Sequence, residues 1–255
     1  MPFTLAHPAA VIPFTKSKSE LFVPSALVVG SMAPDFEYFL RLQLVTRWSH
    51  TLTGVFTFCL PVGLIVLWIY HNFQKDVLYS LLPGDLENHL LEKYHQFDFL
   101  PIKRFLCICF SMGVGSLTHI IWDGFTHCNG FFVAHSTLLN ITVISVGKVD
   151  IPLYALLQDL STAVGLLILA IVMWRVVFIE NTLNFKSGNE FRIRIPAIMR
   201  LLGVATLLGA IFTLCMKTNL NVRNLRDFLR HIAVVGFPSV YVASIIWAMK
   251  NRFHC

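Results

Sequence analysis

Five stretches of this chain contain no lysine, arginine, aspartate or glutamate: 48–74, 105–122, 160–174, 201–216 and 231–249. Crossing a bilayer takes about 20 mostly apolar residues. The longest run exceeds that length. The third and fourth reach it by taking in one flanking polar residue each, Asp159 and Arg200. Composition agrees, with 56% hydrophobic and only 13% charged residues, where a soluble domain carries roughly a quarter charged. The expectation is an all-α, polytopic membrane helix bundle with about five transmembrane helices. It forms a single integral membrane domain over 1–255, with short N-terminal interfacial helices in 1–47. Its spans are expected at 48–74, 105–127, 151–178, 197–216 and 231–249.

The polar residues exclude several classes. A net charge of +6 is spread over the loops, which suits anionic lipid headgroups as partners and gives no reason to expect nucleic acid. Of six cysteines, Cys59, Cys107, Cys109 and Cys215 fall within expected spans, and no regular spacing suggests a disulfide framework or zinc finger. The first residues are apolar, but Pro2, Pro8 and Pro13 interrupt them and no lysine or arginine precedes Lys16, so this stretch is not expected to act as a signal peptide. Residues 1–14 and 21–33 are each too short to cross. The second fits an interfacial or re-entrant helix, and both are expected to pack at one membrane face and close over whatever lies there. Pro34 pushes Ala33 away from helical geometry, which places Asp35 on a turn or at the start of the next short helix. Asp150 and Pro152 are expected to cap and open the third span.

One stretch stands out chemically: 117–128, L-T-H-I-I-W-D-G-F-T-H-C. His119, Asp123 and His127 recur every four residues and so share one helical face. An ionisable group at membrane depth is expensive, so it usually faces a bundle interior and has a partner. The plainer reading is a polar helix end meeting headgroups, with one histidine packed for structural reasons. Topology separates the two. Five spans put His7, Asp35, His50, the end of the second span and the start of the third on the same side. At 1.5 Å per residue, His119 lies about 12 Å in from His127, and Asp159 about 10 Å in from Pro152. His89 and His95 fall on the opposite side. Outliers from separate segments thus converge on one face at similar depth. Histidine and aspartate together are ligands for zinc and related divalent metals. The His-x-x-x-Asp spacing supplies two ligands from one rigid face, and the turn at Asp35 supplies another carboxylate. No Ser-His-Asp order, phosphate-binding glycine loop or thiol nucleophile competes.

The same residues carry a resemblance. The opening M-P-F-T-x-x-H-P-A, then P-S-A-L-V-x-G-S-M-A-P-D-F-x-Y-F, W-S-H-T, D-G-F-T-H and Y-A-L-L-Q-D resemble a family of uncharacterised bacterial integral membrane proteins. That resemblance implies the bacterial inner membrane as the location. More remotely, the order His, G-S-x-A-P-D, His, H-x-x-x-D is similar to membrane-bound metal-dependent hydrolases and to the zinc-dependent phospholipase C group. This similarity implies metal-ligand roles for His7, Asp35, His50, His119 and Asp123.

The expected function is therefore hydrolysis of a phosphoester or lipid-derived substrate at a divalent metal, zinc first among the candidates. Asp123 or Asp159 would serve as ligand or general base, and His127 as a further ligand. The alternative is a non-enzymatic membrane protein whose cluster is a structural metal site or an ion or proton path.

Overall fold

The computed structural model describes residues 4–41, 47–80, 97–146 and 149–175. The spans expected at 197–216 and 231–249 lie outside the described residues. Among those described, three helices are long and apolar enough to cross a membrane. They are α4 (Leu52–Gln74), α5 (Ile102–Thr126) and α7 (Leu153–Trp174). Ahead of them come three short helices, α1 (Pro8–Thr15), α2 (Pro24–Met32) and α3 (Phe36–Arg41). Proline stands at the first position of both α1 and α2, where its missing N–H costs nothing. At 8 and 9 residues these two are far too short to span.

By proximity along the backbone the chain divides into two units. The first comprises Met1–Glu37, Thr46–Ile65 and Phe99–Trp174, and the second Tyr38–Val45, Val66–Asp98 and Arg175–Cys255. Within the second unit His71 stacks on Phe97, with ring centroids 3.6 Å apart. Everything that bears on the candidate site belongs to the first.

The first unit is organised around α5, and α2 lies directly against its middle. The reason is the row of small residues at Ser111, Gly115 and Ser116. A Cβ on Gly115 would run into the carbonyl oxygen of Leu27, and one on Gly30 into the carbonyl oxygen of Met112. Small residues let two backbones approach this closely and are the usual means of helix contact in membranes. Hydrogen bonds then lock the pair. The Ser111 hydroxyl accepts from the Val23 N–H at 2.8 Å, and the Ser116 hydroxyl donates to the Gly30 carbonyl at 3.1 Å. Val23 pairs with Ser111 and Ser31 with His119, so the two helices run the same way. Leu27, Ile108 and Met112 are fully buried between them. Residues 21–33 thus pack beside the middle of α5 and lead directly to Asp35.

Ser111→Ala should cost about 1–3 kcal/mol, because it strands a buried backbone N–H at Val23. At about 2–4 °C per kcal/mol for a chain of this size, a thermal melt in detergent should read a drop of several degrees.

All three membrane-length helices turn large side chains outward. Phe56, Leu106, Ile121, Leu160 and Leu167 are all more than half exposed, as surfaces facing lipid would be. Between α5 and α7 the chain forms a short helix, α6 (Phe131–Ala134), and an antiparallel hairpin of β1 (Thr142–Val146) and β2 (Val149–Pro152). The hairpin departs from the all-helical expectation. It also corrects the role given to Asp150, which lies in β2 and accepts a hydrogen bond from the Ser145 hydroxyl at 2.7 Å.

Candidate metal centre

Four elements of the first unit deliver ionisable side chains to one place. A 3-10 turn, Thr4–Ala6, leads into His7, which immediately precedes α1. A second 3-10 turn, Ala33–Asp35, ends α2's segment at Asp35. His50 sits in the turn before α4, whose start is capped by the Thr51 side chain accepting from the Gly54 N–H. His119 and Asp123 are one turn apart on α5, and His127 follows at its end. His7, Asp35, His119 and Asp123 are all buried.

The contacts alternate around a ring. His50 Nε2 lies 3.5 Å from Asp35 Oδ1 and 3.4 Å from Asp123 Oδ2, and His119 Nε2 lies 3.5 Å and 3.4 Å from the same two atoms. One ligand atom from each residue falls within 4.8 Å of the other three. These separations are longer than the roughly 2.7–3.2 Å of an N–H···O hydrogen bond. Ligand atoms about 2.0–2.2 Å from a zinc ion stand about 3.3–3.6 Å apart in a tetrahedron. The four adjacent separations match that spacing, the whole set lies within 4.8 Å, and the cluster can hold a metal ion.

The far oxygen of Asp123 meets two further imidazoles. Its Oδ1 lies 3.6 Å from His7 Nε2 and 3.5 Å from His127 Nδ1. His7 also stacks on His119 with centroids 3.7 Å apart. Among the described residues, His7 Nε2, Asp35 Oδ1, His119 Nε2, Asp123 Oδ1 and His127 Nε2 are buried without a hydrogen-bond partner. Buried polar atoms are otherwise nearly always satisfied, so several in one pocket fit a site built to hold an ion.

Supporting groups orient the ring. The Ser31 carbonyl lies 2.7 Å from His119 Nδ1, so that nitrogen carries the proton and Nε2 presents its lone pair to the cluster. The Ser49 hydroxyl is 3.0 Å from His50 Nδ1. The Thr4 hydroxyl donates to Asp35 Oδ2, leaving Oδ1 for the ring. None of these partners was legible in the sequence. One is a backbone carbonyl, and the hydroxyls belong to unremarkable serine and threonine residues.

Electrostatics follow from burial and from these neighbours. Burial, reinforced by His119, pushes His7 down to about 3, so it is neutral at physiological pH. Burial would raise Asp35, but the facing imidazoles of His119 and His50 overcome it and hold the carboxyl below the usual carboxylate range. His50 moves the other way. Burial disfavours its charged form, and the facing carboxylates of Asp123 and Asp35 outweigh that and raise it above 6.5.

A metal ligand must shed its proton, which fixes a sign. Below its raised pKa, metal-free His50 is protonated, so metal affinity should rise with pH through and beyond 6.5. His7 and Asp35 hold no proton to lose over that range. Competition titrations between pH 6 and 8.5 should show metal affinity rising with pH as ring imidazoles lose their protons. A flat profile would show that metal binding displaces no proton from the ring and would count against imidazole ligation there.

The structure thus brings together His7, Asp35, His50, His119, Asp123 and His127. It does not bring Asp159 with them, which corrects the expectation of a role for that residue. On α7 the buried positions are Ala155, Gln158 and Gly165, and Asp159, one residue and about 100° round the helix from Gln158, is exposed.

Fold and site together define a class: a predominantly helical protein with membrane-length helices and a buried cluster of two histidines and two aspartates able to hold a metal. The chain belongs to the family described as a domain of unknown function, DUF4184, whose model matches residues 1–249. No curated protein matches it, and neither does any solved structure.

Proposed function

We propose that this protein is a membrane-bound, metal-dependent hydrolase acting on a phosphoester of a lipid or lipid-derived substrate. The observation that carries the reading is the ring of His50, Asp35, His119 and Asp123. Its spacing suits ligands around one ion better than hydrogen-bonded pairs. Two imidazoles and two carboxylates favour zinc over calcium or magnesium, which prefer all-oxygen shells. A bound divalent ion would supply Lewis acidity and a water acidified toward neutral pH.

The chain's own residues do the rest. Asp123 Oδ2 faces the ring while its Oδ1 faces His7 and His127, which are thereby placed against the far side of that carboxylate. The His50 and His127 side chains are 19% and 23% exposed, and those of His7 and His119 3% and 0%, so the cluster reaches the surface on the His50 and His127 side. Apolar residues stand exposed close by in sequence: Trp48 and Leu52 beside His50, and Phe131 four residues beyond His127. Such a rim suits a substrate with an acyl chain. The order His, G-S-x-A-P-D, His, H-x-x-x-D resembles that of metal-dependent hydrolases and the zinc-dependent phospholipase C group, and on that resemblance hydrolysis is favoured over a structural role.

The test is metal analysis of detergent-purified protein alongside hydrolysis of phosphodiester and phosphomonoester substrates, both soluble and in lipid vesicles. Near-stoichiometric zinc and chelator-sensitive hydrolysis are expected in wild type, both lost in His119→Ala. Stoichiometric metal with no hydrolysis of any of these substrates, and a melting temperature that collapses with chelator, would replace this reading with a structural metal site.

A further inference from the structure

Glu37 is a charged side chain left unused by the cluster, and it is only 2% exposed. It stands in the first turn of α3, two residues after Asp35. Its carboxylate accepts from three consecutive backbone N–H groups across the chain. Oε1 takes Arg47 at 3.1 Å, and Oε2 takes Trp48 at 3.4 Å and Ser49 at 3.0 Å. The next residue is His50. We propose that Glu37 is the positioning residue for His50, fixing the turn that presents the most exposed ring ligand to the metal. This inference rests on the reading of the cluster as a metal site.

Three features make the carboxylate specific to this task. First, the carboxylate takes three successive N–H groups of the turn, for which no backbone acceptor is found among the described residues. A single two-oxygen acceptor satisfies all of them. Second, the opposite side of the turn is already fixed. The Trp48 carbonyl accepts from the Thr51 N–H at 3.0 Å and hydroxyl at 2.7 Å, and the Ser49 carbonyl accepts from Cys59 Sγ at 3.4 Å. Ser49 itself is fully buried, and its hydroxyl reaches His50 Nδ1. Glu37 therefore completes a clamp whose output is the direction of one imidazole. Third, the segment P-D-F-E serves two purposes within four residues. Asp35 contributes an oxygen to the ring, and Glu37 secures the turn carrying the histidine that faces that oxygen at 3.5 Å. A shift of α3 would move both together and keep their relation.

Glutamine is the discriminating substitution. It has nearly the shape of glutamate but only one acceptor oxygen, so either orientation sets an amide N–H against a backbone N–H of the turn. The experiment measures Co²⁺ affinity and the visible Co²⁺ spectrum for wild type, Glu37→Gln, His50→Ala and the double variant, each purified as the full chain in detergent. Groups that orient a ligand typically contribute 10–100-fold to metal affinity. Glu37→Gln should therefore bind Co²⁺ about 10–100-fold more weakly, with an altered spectrum. In the His50→Ala background the same change should have an effect of less than about twofold, because the two residues act as one unit. Where Glu37→Gln does not fold, Glu37→Asp, which keeps both acceptors on a shorter stem, takes its place in the cycle with the same expectation. Equal affinity of Glu37→Gln and wild type overturns the proposal, as do fully additive losses in the double variant, which mark a general folding role. A wild-type chain that binds no Co²⁺ gives a different result: it overturns the metal reading itself, and the role of Glu37 falls with it.

Discussion

Asp123→Asn should strip the protein of its metal while leaving its fold in place. The Asp123 carboxylate meets four imidazoles, Oδ2 facing His50 and His119 at 3.4 Å and Oδ1 facing His7 at 3.6 Å and His127 at 3.5 Å. Asparagine keeps the size of the side chain but has a single acceptor oxygen and no charge. Whichever way it turns, one pair of histidines then faces an N–H. Losing a ligand outright should exceed the 10–100-fold typical of an orienting group, so an affinity loss of more than about 100-fold is expected. The side chain ends in a polar cluster and fills no apolar gap, and packing around α5 is carried by Leu27, Ile108 and Met112. Expression and membrane insertion should therefore stay near wild type, and any phosphoesterase activity should vanish. Melts of wild type and variant, each with and without chelator, separate catalysis from structure. The binding energy of a structural metal is part of the folding energy. A large chelator-dependent drop in wild type, nearly absent in the variant and with no activity to lose, would count against the enzyme reading.

The second large effect concerns packing. Gly115→Ala and Gly30→Ala should each lower stability severely, because the new Cβ meets a backbone carbonyl, of Leu27 and Met112 respectively, with no side chain free to rotate away. Overpacking typically costs about 1–3 kcal/mol, and a collision with backbone belongs at or beyond the top of that range. For a chain of this size, about 3 kcal/mol corresponds to roughly 6–12 °C in melting temperature. The consequence reaches the metal centre as well. Pushing α2 away from α5 draws the Ser31 carbonyl from His119 and moves the segment that ends at Asp35. Metal affinity should fall with stability in both variants. Gly113→Ala is the internal control, since nothing lies within 4 Å of the position its Cβ would take. An equal drop for Gly113→Ala would show that glycine in α5 matters for some reason other than contact with α2.

Much of this site was legible without coordinates. Long charge-free runs leave a chain few alternatives to membrane helices, and within them each ionisable residue stands out because its burial must be compensated. His119 and Asp123 were recognisable as one face from their spacing alone, since helical geometry is local. Counting spans then sufficed to bring His7, Asp35 and His50 to the same side. What could not be read was rotation and depth. Asp159 had the right chemistry and the right level, yet α7 turns Gln158 inward, and that choice is made by contacts such as Gly165 against Ala6. Residues 21–33 read as an interfacial or re-entrant helix too short to cross, and the small residues of α5 draw α2 in beside its centre. Composition shows that such residues permit close approach, but only the packed pair of helices shows which partner uses it. The supporting groups were equally hidden. The Ser31 carbonyl belongs to the backbone, and Glu37 reads in sequence as an ordinary charge at a helix start. Periodicity and charge thus determined which residues converge. The tertiary structure decided which atoms face one another at 3.4–3.6 Å, because that depends on long-range packing that no local pattern encodes.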